Sequence, residues 1–197
     1  MSIPTLITLV LLAVVLLWAM SAYNGLVVLR NEVQNAYGQI DVQLKRRYDL
    51  IPNLVEAAKK YISHERETLE AVIAARTHAR MANDTLSQAP AEGGAIKDLS
   101  HAEAMLQGSL GKLFALRESY PELKADRTIA QLSEELTSTE NRIGFSRQAY
   151  NDAILAYNNA AEQFPAALIA TLFHFGGLPM LQSTQSEEER QAPKVRF

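Results

Sequence analysis

Cysteine is absent from the 197-residue chain, which excludes disulfides, thiolate catalysis and sulfur-ligated zinc. Glycine and proline are also few, with nine and seven residues, and this composition favours helix throughout. The chain has no excess of positive charge, since its formal net charge is -3. We therefore expect no nucleic-acid partner.

Charge is missing altogether from the N-terminal segment, where the first charged side chain is Arg30. Its densest apolar part is Leu6–Met20. With the uncharged residues on either side, this part reaches roughly the 20 residues with which a helix crosses a bilayer core. Trp18 and Tyr23 stand where an interfacial aromatic belt would fall. A cleaved signal peptide is the alternative, but the apolar run is long for one and no basic residue precedes it. We predict a retained transmembrane anchor over residues 1–22.

Basic residues follow this anchor and do not precede it: Arg30 comes first, and the triplet Lys45–Arg47 lies further on. The positive-inside rule then favours an N-terminus outside the cell and a folded domain in the cytoplasm. The expected location is the cell (inner) membrane, crossed once.

Apolar residues recur at helical spacing in four segments after the anchor. The first segment continues from the anchor to about Tyr48, and Pro52 is expected to start the second helix, since proline suits a first turn. A third helix is predicted over about residues 97–118, and the fourth carries a seven-residue repeat from Ile129 to Tyr157. The predicted fold is all-α, with the N-terminal transmembrane helix continuing into an antiparallel up-and-down four-helix bundle over residues 23–163.

Three further segments have distinct compositions. Residues 83–95 contain a proline and a Gly-Gly pair and are predicted to form a variable loop. Residues 164–181 carry no Asp, Glu, Lys or Arg and are predicted to form an apolar membrane-proximal segment with a short interfacial helix, a second full crossing being the alternative. Residues 182–197 have the composition of a disordered tail.

Candidate metal and catalytic motifs are incomplete. His64-Glu65 begins like a zinc-protease motif, but the second histidine that the motif needs one turn after the first is replaced by Thr68. An acidic residue stands three positions before a histidine only at Asp98, and one such pair does not build a di-metal site. We therefore expect no catalytic residue, no metal and no cofactor, and no enzymatic activity.

The basic triplet is expected to lie at the distal corner of the bundle, roughly 35 Å from the membrane surface. This distance exceeds the Debye length of about 8 Å, so lipid headgroups are not its expected partners. Arg46 and Arg47 are instead predicted to form exposed ion pairs with acidic residues near the start of the fourth helix. Those candidates are Glu122, Asp126, Glu134 and Glu135.

Other candidate interaction residues come from the polar stretch "ENRIGFSRQAYND" and from the C-terminus. They are Asn141, Arg142, Arg147, Asn151, Val195 and Phe197. The last two could form a docking peptide with the terminal carboxylate, a frayed terminus without a role being the alternative. For the polar stretch, ion pairs and hydrogen bonds between helices are the competing interpretation.

Several long blocks resemble the LemA family, namely Ile40–Glu65, Tyr120–Asp126, Glu140–Asn158 and the pair Phe164-Pro165. The resemblance implies an N-terminal membrane helix, an antiparallel four-helix bundle, an outside N-terminus and a cytoplasmic domain. It implies no catalytic residues, since none are agreed for the family. Relatives are often encoded near membrane proteases or a second small membrane-linked domain, which suggests a membrane-protein partner of that kind.

Two functions follow from these observations. The first is a non-enzymatic interaction or scaffold protein at the inner membrane. The second is a small-molecule sensor, or an enzyme, with a pocket in the bundle, suggested by the density of Arg, Asn and Tyr between Glu140 and Asn158.

Overall fold

The computed structural model describes residues 2–88 and 93–181, and within those ranges every regular element is helical. This confirms the all-α prediction. The predicted tail, 182–197, lies outside the described residues. The helices are α1 (Ile3–Lys59), α2 (Arg66–Gln88), α3 (Gly93–Ser119), α4 (Pro121–Ala125), α5 (Arg127–Glu162) and α6 (Ala166–Leu172).

Helix α1 joins the apolar N-terminal segment to the folded domain without a break. It has 57 residues and is therefore about 85 Å long. Its large apolar side chains between Ile3 and Met20 are exposed. Among the described helices, α1 alone is long and apolar enough to cross a membrane. The candidate span and the domain therefore share one helix and need no linker.

The prediction that Pro52 starts a second helix is wrong, because Pro52 lies inside α1. The chain turns only at residues 60–65. A proline cannot donate a hydrogen bond to the carbonyl four residues earlier, here that of Tyr48. This carbonyl accepts instead from Arg76 Nε on α2, at 2.9 Å.

Burial supplies the second reason why α1 continues through the proline. Ile51, Leu54 and Ala58 are at most 2% exposed, and they extend the buried stripe of the preceding turns in the same phase. An interruption at Pro52 would displace this stripe from the core, so tertiary packing outweighs the local preference of proline.

The prediction of a loop over residues 83–95 differs from the structure at both ends of that range. Helix α2 continues to Gln88, and α3 begins at Gly93, so both ends of that range are helical. Asn83, Leu86 and Ala95 are all buried. Because these side chains pack in the core, the residues around them are helical, although their composition predicts a loop.

The helices pack around α1, which contacts both α2 and α5, while α3 packs on α2. Tyr37 lies beside Asn83 of α2, and Tyr48 reaches the carbonyl of Ala79, earlier in α2. The rings of Tyr37 and Tyr150 meet edge to face, with centroids 5.9 Å apart. Because the later residue of α1, Tyr48, contacts the earlier residue of α2, Ala79, these two helices are antiparallel.

The pair Phe164-Pro165 follows the end of α5, as predicted. Helix α6 then packs against α1 and α5. With seven residues it is only about 10 Å long, too short for a second crossing. The segment after it, residues 174–181, is called the strap below.

Candidate functional site

A cluster of charged side chains lies inside the domain, between α1, α3 and α5. Arg47 and Glu103 form an ion pair, and the side chain of each is 3% exposed. Arg47 also pairs with Glu140, whose side chain is 40% exposed. Arg147 Nη2 lies 3.6 Å from Glu103 Oε2, and the Tyr48 hydroxyl donates to Glu103 Oε1 at 2.6 Å.

Arg47 and Glu103 lie in the core because each is spaced three and four residues from buried apolar residues of its own helix. Arg47 lies three residues after Leu44 and four before Ile51, both fully buried, so it occupies a core position of α1. Glu103 also lies between two buried residues of its helix, four residues after Leu99 and three before Leu106, so it occupies a core position of α3.

The cluster holds two cations and two anions, so its formal charges cancel. Burial lowers the pKa of Arg47, and the neighbouring Glu140 carboxylate opposes that shift. Burial likewise lowers the pKa of Arg147 and raises the pKa of Tyr48, which keeps its proton at neutral pH. Tyr48 therefore acts as a hydrogen-bond donor and not as a neutral-pH general base.

The two arginines predicted to form exposed ion pairs behave differently. Arg46 is exposed, and its Nη2 lies 3.8 Å from Glu135 Oε2, as predicted. The prediction for Arg47 is wrong in both burial and partners, since it is buried against Glu103 and Glu140. Because α1 extends twelve residues beyond Arg47, the triplet lies within the length of the domain and not at its distal corner.

A cavity of about 260 Å³ opens beside this cluster, between α3 and α5. Arg47, Glu140 and Asn141 contribute polar atoms to its wall, and Leu110 and Phe114 contribute apolar surface. Ligand pockets are usually about 300–1,000 Å³, so this cavity matches only a small molecule.

A second polar network joins α1 to α2. The Tyr37 hydroxyl donates to Asn83 Oδ1 at 2.9 Å, and Asn83 Nδ2 donates to Asp41 Oδ1 at 2.6 Å. Lys45 Nζ lies 2.7 Å from the other oxygen of Asp41. Asn83 is fully buried, so these bonds satisfy an amide that would otherwise be costly to bury.

Two asparagines of α5 hold the backbone of the strap. Asn158 accepts from the N–H of Leu178 and donates to its carbonyl, each at 2.9 Å. Asn151 makes the same two bonds, also at 2.9 Å, with Leu181. Asn151 and Asn158 are seven residues apart on α5, which corresponds to about 10.5 Å along the helix. Leu178 and Leu181 are three residues apart, and an extended chain covers about 9–10 Å over that length, so the two distances match. The strap therefore runs back along α5.

The structure brings only some of the predicted interaction residues together. Arg47 and Arg147 meet through Glu103, whereas Asn141 and Arg142 are exposed on α5 and Asn151 holds the strap. Val195 and Phe197 lie outside the described residues.

Sequence reasoning missed Glu103, although a glutamate in phase with an apolar stripe is a detectable signal. It also missed the role of Asn158. The seven-residue spacing from Asn151 is visible in the sequence, but nothing in it indicates that the partner is backbone.

Comparisons with known proteins match most of the chain. A family model described as "LemA family" matches residues 36–197. Magnetosome protein MamQ of Magnetospirillum gryphiswaldense is 26% identical over 168 residues, covering 78% of this chain and 62% of the relative. Protein LemA of Metamycoplasma hominis is 26% identical over 159 residues, covering 80% of this chain and 68% of the relative. The chain thus spans less than two thirds of the magnetosome relative's length.

Proposed function

Since the chain belongs to the LemA family, we propose that it is a non-enzymatic interaction or scaffold protein that α1 anchors in the inner membrane. In this proposal α1, α2, α3 and α5 form an antiparallel four-helix bundle on the cytoplasmic side, and the N-terminus lies outside. The partner is a second membrane protein, with a membrane protease or a small membrane-linked domain as the classes to examine first.

The continuity of α1 is the observation that carries this proposal. One helix runs from the exposed apolar segment to Lys59, and the domain packs directly on its later turns. A flexible linker would let the domain sample a wide range of positions, whereas a continuous helix holds it at one height and one orientation. A fixed position above the membrane suits a protein that presents a surface to neighbours in the same membrane.

The charged cluster fits this role as a structural device. Its carboxylates and guanidinium groups are paired with each other across three helices, and buried polar residues can specify one packing arrangement. Its function in the proposal is to fix α3 and α5 on α1.

Site-specific photocrosslinking in intact membranes tests the proposal. A photoreactive residue at Asn141 or Arg142, both exposed on α5, should give a discrete adduct with a membrane protein. A probe at Leu110, which is 7% exposed, is the matched control and should give none. Resistance of the chain to alkaline extraction tests the anchor separately. Extraction from the membrane, or adducts that are equally diffuse at all positions, would contradict the proposal.

The cavity beside Arg47 supports the second candidate, a small-molecule sensor or an enzyme. A guanidinium, a carboxylate and an amide meet apolar walls there, as in many ligand pockets. Native mass spectrometry of the detergent-solubilised chain should then detect a retained small molecule, which Gly111→Trp in the cavity wall should displace. If neither protein carries a bound small molecule, or if both carry it equally, the scaffold remains the better proposal.

A further inference from the structure

Helix α6 carries an apolar face that no other described element covers. Leu168 and Leu172, four residues apart and therefore on one face, are 62% and 68% exposed. Phe164, before the helix, is 84% exposed, while Ile169 and Ala170 are buried in the core. An apolar face left open beside a buried one indicates a contact outside the folded chain.

The position of α6 along α1 indicates what that contact is. The ring of Tyr23 lies 4.8 Å from that of Phe173 and 5.5 Å from that of Phe175, between centroids. A groove of about 450 Å³ lies between Phe173 and α1, where Leu16, Ala19, Met20, Tyr23 and Asn24 form its wall. Helix α6 therefore lies beside the last turns of the predicted anchor, residues 1–22.

The depth of the groove follows from the helix rise. If residue 22 marks the edge of the hydrocarbon core, Leu16 lies about 9 Å inside it. Amphipathic helices at membrane surfaces bury their apolar faces to about 5–10 Å at the boundary of headgroups and acyl chains. Helix α6 and the groove thus fall within this boundary for a span of ordinary length.

We propose that α6, with Phe164 and Phe173, lies in the boundary layer of the leaflet from which α1 emerges, and that a phospholipid acyl chain occupies the groove between Phe173 and α1. The occupant is lipid because this apolar surface continues the exposed surface of α1. The inference rests on the proposed function insofar as α1 crosses the membrane.

The chemistry of the segment suits such a position. No Asp, Glu, Lys or Arg occurs from Phe164 to Leu181, so none of these charges has to be transferred from water. Backbone groups near lipid need internal partners. Asn158 and Asn151 supply them to Leu178 and Leu181. The bonds to Asn158, four residues before the end of α5, satisfy the backbone of Leu178 near the predicted anchor, and the bonds to Asn151 fasten the strap further along the domain.

Depth-dependent fluorescence quenching tests the inference in the full-length chain. Trp18, the only tryptophan, is replaced by Phe, and a single reporter is introduced as Phe173→Trp or Leu172→Trp. The matched control is Phe145→Trp, because Phe145 is 74% exposed on α5 and lies 17 residues, or about 25 Å, from the end of that helix. Each variant is reconstituted into phosphatidylcholine vesicles with bromine near the headgroup end of the acyl chains.

We expect lipid bromines to quench the reporters at 173 and 172 by roughly twofold or more, and the reporter at 145 hardly at all. Equal, weak quenching at all three positions in a chain that resists alkaline extraction would overturn the inference and leave the proposed anchor intact. Loss of the chain on alkaline extraction would instead contradict the anchor itself. Blue-shifted emission at 173 that bromine does not quench would mean that a protein covers the face, which would also overturn the inference.

Discussion

Replacing Arg47 by methionine tests whether the charged cluster fixes the packing of the helices. The substitution removes the guanidinium group and keeps most of the apolar stem. It leaves the Glu103 carboxylate buried, with the Tyr48 hydroxyl at 2.6 Å and Arg147 at 3.6 Å as its remaining partners. We therefore expect a large loss of stability, because removing one member of a buried ion pair leaves a charge without adequate compensation.

The magnitude follows from the burial of both groups. Breaking such a pair costs about 3–5 kcal/mol, and the contact with Arg147 places the expected loss near the lower end, at about 3 kcal/mol. For a chain of this length this corresponds to a decrease in melting temperature of about 6–12 °C. Arg46→Met is the matched control. Its ion pair with Glu135 is more than half exposed on both sides, so the loss there should be about 0–1 kcal/mol.

Urea unfolding of the detergent-solubilised full-length chain, followed by far-UV circular dichroism, measures both free energies of unfolding. The double variant Arg47→Met, Glu103→Met adds a direct test of the pairing. Removing both charges should restore much of the stability lost in Arg47→Met alone, because the uncompensated carboxylate is gone. Equal losses for the Arg46 and Arg47 variants would refute the reasoning, as would strictly additive losses in the double variant.

Three further predictions concern the proline, the strap and the cap of α5. Arg76→Met should cost about 1–2 kcal/mol by urea unfolding in the native sequence and much less in a Pro52→Ala background. In that background the backbone N–H of residue 52 can donate to the Tyr48 carbonyl that Arg76 otherwise satisfies. An equal loss of stability from Arg76→Met in both backgrounds would contradict this account. Asn158→Ala should accelerate amide hydrogen exchange at Leu178, whose N–H the asparagine accepts, and an unchanged rate would show that the bond contributes no protection. Asp126 is the N-cap of α5, and its side chain accepts from the backbone N–H of Ile129. Asp126→Asn should flatten the acid dependence of stability, because backbone N–H groups of the first turn hold the pKa of Asp126 below its ordinary value. That contribution is complete above the unfolded pKa and is lost as pH falls through the folded one, so parallel acid profiles for the two proteins would refute it.

Periodicity predicted much of the fold correctly. The stripes around Ile40, Leu106 and Ile143 are buried as expected, since burial of one helix face requires that spacing regardless of the partner helix. The end of α5 just before Phe164-Pro165 was also predictable, because the residue before a proline is biased away from helical geometry. Signals of this kind lie within one element and need no knowledge of what packs against it.

The errors arose where distant residues decide the local structure. Pro52 is tolerated inside α1 because Arg76, 24 positions later, satisfies the Tyr48 carbonyl that the proline leaves without a helical partner. Arg47 is buried because Glu103 and Glu140 receive it, and these residues lie 56 and 93 positions away in the sequence. The phase of Arg47 between apolar residues was visible, but an arginine is rarely buried without paired charges, and those charges were not local.

The continuous α1 gives the proposed scaffold a definite geometry. From residue 22 to Lys59 the helix rises about 55 Å, so the distal end of the domain would stand at that height above the membrane. The charged cluster at Arg47 lies about 37 Å from the same reference and links α3 and α5 to α1 partway along it. At the membrane end, α6 packs against both α1 and α5, while the strap is bonded to α5. Helix α5 is thus tied to α1 both at the membrane end and partway along its length, which resists sliding of one helix past the other. A partner that binds the exposed face of α5 would therefore be held at a height set by the helix rise and not by a linker.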